Sequence, residues 1–257
     1  MSTTEKAQEH SIDDHRQSLR EANRRFYDRL WSNARLIDPR QFNTWPIIEP
    51  LAAKSERRLE IGPGMRPRLP IADTQFSDIS QPALDALRQA GGQVTNAPIE
   101  NLPYPDKSFD LVCALDIIEH VEDDGRALAE LTRVAAPGAT ILLSTPLHPE
   151  YWTTFDDIVG HKRRYRPEQL VGLLKTHHLD IKQSAVFGMK PESSPLLNLG
   201  MWFLKYHRRV AMFFYNRLFM PIGLKRQKPL VLSEGLIPTE GVDEVFLICR
   251  YQHRQSF

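Results

Sequence analysis

The stretch Leu59-Glu60-Ile61-Gly62-Pro63-Gly64 closes an apolar run with an acid and a glycine turn. Glycines at such a turn let a ligand approach the backbone with no Cβ in the way. Eighteen residues after Glu60 stands Asp78, at the end of the next predicted strand. A carboxylate there can accept both hydroxyls of a ribose, so the pairing suggests a nucleoside; a plain strand-to-helix turn with a capping Asp is the other use of the same residues. A dinucleotide is disfavoured. The third glycine of Gly-x-Gly-x-x-Gly is replaced by Pro67, and Arg66-Pro67-Arg68-Leu69-Pro70 shortens the first crossover helix that would have met a diphosphate.

Three histidines could serve as a base: His120, His148 and His161. His120 follows the fourth predicted strand, His148 follows the fifth in Ser144-Thr145-Pro146-Leu147-His148-Pro149, and His161 lies in Gly160-His161-Lys162-Arg163-Arg164-Tyr165. The alternative use of His161 is to hold a lid loop. No metal site is assigned. Asp116-x-x-Glu119-His120 puts two carboxylates and an imidazole within one helical turn, which could hold a divalent ion, but helix capping is the expected use of Glu119.

The elements that must position these groups follow from the hydrophobic pattern. Leu19, Ala22, Phe26, Leu30, Trp31 and Ala34 recur at three- and four-residue intervals after Ser11, an amphipathic helix. Ile37-Asp38-Pro39-Arg40 ends it, and Phe42 to Ala53 reads as a short helix broken by Pro46 and Pro50. Residues 1–11 form a disordered tail and residues 12–55 a helical cap. From residue 56 to 257 short apolar runs alternate with helical stretches, the signature of a parallel sheet with covering helices. Strands are predicted at Arg58–Ile61, Gln75–Asp78, Gln93–Ala97, Phe109–Leu115, Thr140–Ser144, Ile181–Phe187 and Val245–Tyr251. Helices are predicted at Gln81–Gln89, Asp124–Val134 and Pro167–Thr176, with Pro137-Gly138 as a helix stop before the next strand, and a helical insert spans 189–244.

Glu60-x-Gly62-x-Gly64, Asp78, the block Leu102-Pro103-Tyr104-Pro105 followed by Ser108-Phe109-Asp110-Leu111-Val112, and Glu119-His120-Val121 together resemble class I S-adenosylmethionine-dependent methyltransferases, in the subgroup of small-molecule and quinone O-methyltransferases. The resemblance covers about Arg57 to Thr176 and the last strand. It implies an α/β Rossmann-like, mostly parallel sheet of seven strands in the order 3-2-1-4-5-7-6, with helices on both faces and the last strand antiparallel. It also implies S-adenosylmethionine as cofactor and S-adenosylhomocysteine as product. By position, Glu60 sits by the methionine amino end, Gly62 and Gly64 form the floor, Asp78 with Ile79 holds the ribose, and Ala114 and Leu115 flank the methionine. The residue that meets the adenine amino group in the family aligns with Pro98, so the backbone of Ile99 or the side chain of Glu100 takes that part.

Composition bounds the rest. With 41% hydrophobic and 25% charged residues in 257, the chain can bury a core without metal or disulfide staples. A net charge of 33 − 32 = +1 argues against general nucleic-acid binding. Cys113 and Cys249 lie in apolar runs and read as buried thiols of a reducing compartment. Neither a leader nor a spanning helix is visible, so a cytoplasmic protein is expected. From Ser193 through Ser233 there is no acid, yet Lys205, Arg208, Arg209, Arg217, Lys225, Arg226 and Lys228 are present. At 100° per residue Lys205, Arg209 and Asn216 oppose Phe203, Val210, Phe214 and Leu218. Such a helix serves as a lid, a homodimer face, or a peripheral membrane contact through 196–228. The expected function is methyl transfer to an O or N atom of a small apolar or aromatic acceptor. A membrane-surface methyltransferase of a lipid or quinone and a catalytically silent regulatory protein of the same fold remain open.

Overall fold

The alternation of apolar runs and amphipathic helices resolves into one open sheet in the computed structural model, which describes residues 27–28, 31, 34–188, 206, 210 and 213–252. The strands are β1 (Arg58–Ile61), β2 (Thr74–Asp78), β3 (Gln93–Asn96), β4 (Phe109–Leu115), β5 (Ala135–Pro146), β6 (Leu179–Phe187), β7 (Ser233–Glu234) and β8 (Glu244–Tyr251). Their order is β3-β2-β1-β4-β5-β8-β6-β7. β1 to β5 pair in parallel, and β8 lies antiparallel between β5 and β6. The expected strand order is found with β8 as the last strand. The sheet has eight strands rather than seven, because the two-residue β7 adds to the edge of β6.

Burial explains the strands. β4 is buried at five of its seven positions, as a central strand covered on both faces must be, whereas the edge strand β3 has no buried residue. The helices are α1 (Trp45–Ala53), α2 (Gln81–Gln89), α3 (Asp124–Val134), α4 (Thr154–Val159), α5 (Pro167–Thr176) and α6 (Met220–Lys225). α3 starts where the Asp123 carboxylate accepts the Arg126 N–H at 2.8 Å. It buries Ala127, Leu128, Leu131 and Val134 at helical spacing against the core that also takes Leu59, Val112 and Leu143.

Several local expectations are corrected. β5 begins at Ala135 rather than Thr140, directly after α3: Ala135 is already extended (φ −75°, ψ 132°), and Pro137-Gly138 lies inside the strand rather than in a loop before it. The segment expected to be broken by Pro46 and Pro50 is one helix, α1. Pro46 falls in its first turn, where the missing N–H had no partner. No helix forms between β1 and β2, where a turn was expected, and Glu119 caps none. It sits in a 3-10 turn, Ile118–His120, while Asp123 caps α3. Residues 1–26 and most of 189–212, with the expected tail, the start of the cap helix and the first part of the insert, lie outside the described residues. Both cysteines are free and buried.

Candidate functional site

Strand register collects acids along one edge. Ile61 pairs with Ser77, Leu115 with Ser144, and Pro146 with Glu244, so the carboxyl ends of β1, β2, β4 and β5 meet the start of β8. β1 has β2 on one side and β4 on the other. The chain therefore leaves β1 and β4 in opposite directions, and the crevice between them is where open α/β sheets take ligands.

The floor of that crevice is the Gly62-Pro63-Gly64 turn. Gly62 and Gly64 have φ of +65° and +54°, and a Cβ on them would run into the Ile117 side chain and the Trp31 indole respectively. Only glycine meets both demands. The turn is held from two sides. Glu60, 2% exposed, accepts the Arg68 N–H at 2.8 and 3.1 Å and the Leu69 N–H at 2.9 Å, so its carboxylate is spent on shaping the loop after the turn. Burial pushes it up to about 7 despite these bonds. Asp78 accepts the Gly64 N–H at 2.9 Å through one oxygen and the Ser80 N–H at 2.8 Å through the other. Burial pushes it up to about 6.

Around them stand the other candidates. The N–H of Ile79 also supports Asp78. The Ala97 N–H donates to the Asp78 carbonyl, which brings the loop after β3 beside it. In that loop Ile99 is buried in the core and Glu100 is half-buried, its carbonyl accepting Arg126 Nε at 2.9 Å. Ala114 and Leu115 alternate between the two faces of the sheet. Beyond them Asp116 (φ +55°) accepts the Ser144 hydroxyl at 2.5 Å. Burial, then Asp116 and Glu119, holds Glu244 well above the carboxylate range.

A strap from the N-terminal segment crosses this crevice. Tyr27 places its hydroxyl 3.2 Å from His120 Nδ1, Trp31 packs with Met65 and Ala83, and the Ile37 N–H donates to the Met65 carbonyl at 2.9 Å. Asp28 ties the strap to α2 by accepting the Ser80 hydroxyl at 3.0 Å and the Gln81 N–H at 3.2 Å. Asp28→Ala should therefore lower the free energy of unfolding by about 1 kcal/mol, a cap's usual worth. A urea titration checks this, and an unchanged midpoint would show that the strap is held without it.

The three candidate histidines separate. His120 and His161 meet with ring centroids 4.7 Å apart. His161 Nδ1 is 2.8 Å from Asp156 Oδ1, and the fully buried Asp156 also receives the Arg164 guanidinium at 2.8 and 3.2 Å. Burial, and secondarily His161, pushes His120 down to about 3. His148 contacts neither of the other two. Its Nε2 lies 2.7 Å from the Thr239 carbonyl and its ring leans on Tyr151. Sequence reasoning missed Tyr27, Asp156 and Glu244. Asp156 had a signal, since Thr153-x-x-Asp156 is a capping-box spacing, and that box is present at the start of α4.

Residues 64–143 match a family model described as a methyltransferase domain. Norajmaline N-methyltransferase of Rauvolfia serpentina is 50% identical over 48 residues, which span 19% of this chain and only 16% of that enzyme. Among solved structures, a SAM-dependent methyltransferase of Thermotoga maritima superposes with a TM-score of 0.55 at 17% identity, covering 82% of this chain and 88% of that one. A phosphoethanolamine N-methyltransferase 2 of Haemonchus contortus, solved with phosphomonomethylethanolamine and S-adenosylhomocysteine, gives 0.54 at 16% identity over 89% of this chain and 57% of that one. At these identities the likeness is one of fold: the Rossmann-like sheet of class I methyltransferases.

Proposed function

We propose that the chain, with a methyltransferase-domain match over residues 64–143 on a class I fold, is an S-adenosylmethionine-dependent methyltransferase acting on an O or N atom of a small apolar or aromatic acceptor. The observation that carries this reading is the Gly62-Pro63-Gly64 turn clasped to the Asp78 carboxylate at the fold's switch point. The residues present fit such a cofactor. Asp78 and Glu244 are both held above the ordinary carboxylate range chiefly by burial, the mark of acids short of counter-charge. A sulfonium with an ammonium group supplies that charge, and a ribose supplies two hydroxyl donors for Asp78.

The bound donor brings an already activated methyl group, so this chain's task is positioning and, for a weakly acidic acceptor, proton removal. Gly62 and Gly64 form a floor on which Ile117 and Trp31 rest and from which they would lift for the donor, while Asp78 orients the sugar. Tyr27 and Trp31 on the strap close the crevice to water. Of the three histidines, His161 is the best base, because Asp156 fixes its ring with Nδ1 as donor and leaves Nε2 to take a proton. Turnover is tested by incubating the chain with S-adenosylmethionine and a panel of aromatic and isoprenoid hydroxyls and amines, following release of S-adenosylhomocysteine. Acceptor-dependent release is expected. Donor binding with no release from any acceptor would overturn the transferase reading.

Affinity should also depend on pH. Asp78 is raised from 3.8 to about 6 in the folded chain, so in the empty protein it favours folding below pH 3.8 and loses that contribution as pH rises through 6. Only its ionised form accepts both hydroxyls. Calorimetric titrations with S-adenosylhomocysteine should show affinity falling from pH 7.5 to 5, and the profile should flatten in Asp78→Asn. A flat profile in the unaltered protein would contradict the assignment.

A second observation favours a membrane surface as the place of action. Val210, Phe213, Phe214, Leu218 and Phe219 are each about half exposed (49–55%), with Arg217 among them. Apolar side chains beside unopposed positive charge suit an anionic interface. No helix among the described residues is long and apolar enough to cross a membrane. Co-sedimentation with phosphatidylglycerol vesicles, weakened by salt, is the expected result, and absence of pelleting would remove this reading.

A further inference from the structure

Glu119 presents a problem that the proposed transferase chemistry does not solve. The residue is fully buried, and its carboxylate oxygens make no hydrogen bond of ordinary length, the neighbouring Thr145 hydroxyl being left unpartnered with them. A carboxylate taken out of water costs several kcal/mol unless a cation or donors replace the lost hydration. Its two imidazole neighbours are arranged to help. One ligand atom each from Glu119, His120 and His161 can be chosen so that all three lie within 4.8 Å of one another.

We propose that Glu119, His120 and His161 form a binding site for a divalent transition-metal ion. Metal bonds to these atoms run to about 2.2 Å, so two ligands of one ion stand at most about 4.4 Å apart. Three ligands of one ion stand closer to one another still, about 3.6 Å apart in a tetrahedral site, so atoms within 4.8 Å have to draw together by up to about 1 Å. Both rings already have the backing that metal-bound imidazoles use. His161 Nδ1 sits 2.8 Å from the Asp156 carboxylate, and His120 Nδ1 sits 3.3 Å from the Gly160 carbonyl. A donor bond at Nδ1 fixes the tautomer and leaves the Nε2 lone pair for an ion. The Tyr27 hydroxyl also lies 3.2 and 3.4 Å from the His120 nitrogens, but a neutral phenol is the weaker competitor for that lone pair.

The ligand set also narrows the ion. Two imidazoles with one carboxylate suit Mn2+, Fe2+, Co2+ or Zn2+, whereas Mg2+ and Ca2+ favour oxygen-only surroundings. Asp116 adds negative potential, since it is the charge that acts most on Glu119. The consequence for catalysis rests on the transferase reading: an ion here would take the Nε2 lone pair that otherwise makes His161 a base, and would replace that base by binding an acceptor oxygen and lowering its pKa.

The test uses Mn2+ as probe, on the full chain after dialysis against a chelator, read by electron paramagnetic resonance and calorimetry. One Mn2+ per chain is expected, displaced by Zn2+ but not by equimolar Mg2+. Affinity should fall more than tenfold in Glu119→Gln and in His161→Gln, with two variants used so that a folding failure in one leaves the other to decide. Glu150→Gln, at the surface, should bind as the unaltered chain does. Absence of saturable binding, or equal binding in both variants, would overturn the site. S-adenosylhomocysteine is titrated into the same samples, because the two claims fail separately. Mn2+ binding without cofactor binding would sink the transferase reading and leave the metal site standing, and the reverse would do the opposite.

Discussion

Replacing Asp156 with Ala should destabilise the folded chain by about 3–5 kcal/mol, the usual effect of stripping the partner from a buried ion pair. The carboxylate is fully buried and accepts from the Thr153 N–H and hydroxyl, from His161 Nδ1 and from two nitrogens of Arg164. These bonds hold it well below the usual carboxylate range against the opposing effect of burial. Arg164 is only 7% exposed, and its remaining anion, Asp243 at 3.1 Å, meets a different nitrogen. Without Asp156 the guanidinium keeps its desolvation and loses most of its compensation, α4 loses the Asp156 half of its capping box, and His161 can turn freely. Urea unfolding with the slope held as a check on two-state behaviour measures the loss. A change under 1 kcal/mol would mean that Asp243 and the Leu147 carbonyl suffice for Arg164.

Asp78→Ala should weaken S-adenosylhomocysteine by about 3 kcal/mol, roughly 150-fold, since two hydroxyls lose a charged acceptor at about 1.5 kcal/mol or more each. The same substitution frees the Gly64 and Ser80 N–H groups, so part of the loss could come from a relaxed turn. Asp78→Asn separates the effects. It keeps one acceptor oxygen and the shape of the turn but removes the charge. Calorimetry should find it intermediate, and equal affinity in all three proteins would withdraw Asp78 from the sugar site.

What was legible in the sequence was what local chemistry determines. A strand such as Phe109–Leu115, apolar at every position but Asp110, reads as central, and Glu60-x-Gly62-x-Gly64 marks a turn that needs open backbone. The strand order came from resemblance. Boundaries slipped where tertiary pairing outvoted local signals: Pro137-Gly138 reads as a helix stop, yet the backbone there extends β5 because β4 offers Phe109 as a partner to Ala135. The site was half legible. His120 and His161 were visible as candidates, but nothing in a sequence shows that residues 41 apart meet edge to face at 4.7 Å, or that Tyr27 reaches His120 across 93 residues. Glu119 was misread for a related reason. An acid just before a helix reads as a cap, and its full burial follows only from how the 3-10 turn packs beneath the loop bearing His161, where the Lys162 N–H donates to the Glu119 carbonyl at 2.8 Å.

The central claim is that the crevice above the glycine turn takes a sulfonium nucleoside. A crystal structure of the chain soaked with S-adenosylhomocysteine tests it most directly. The account predicts the ribose hydroxyls on the Asp78 carboxylate and the amino-acid portion above Gly62 and Gly64, with Tyr27 and Trp31 covering the ligand. A crevice filled instead by the Trp31 indole at saturating ligand, with no density beside Asp78, would contradict it.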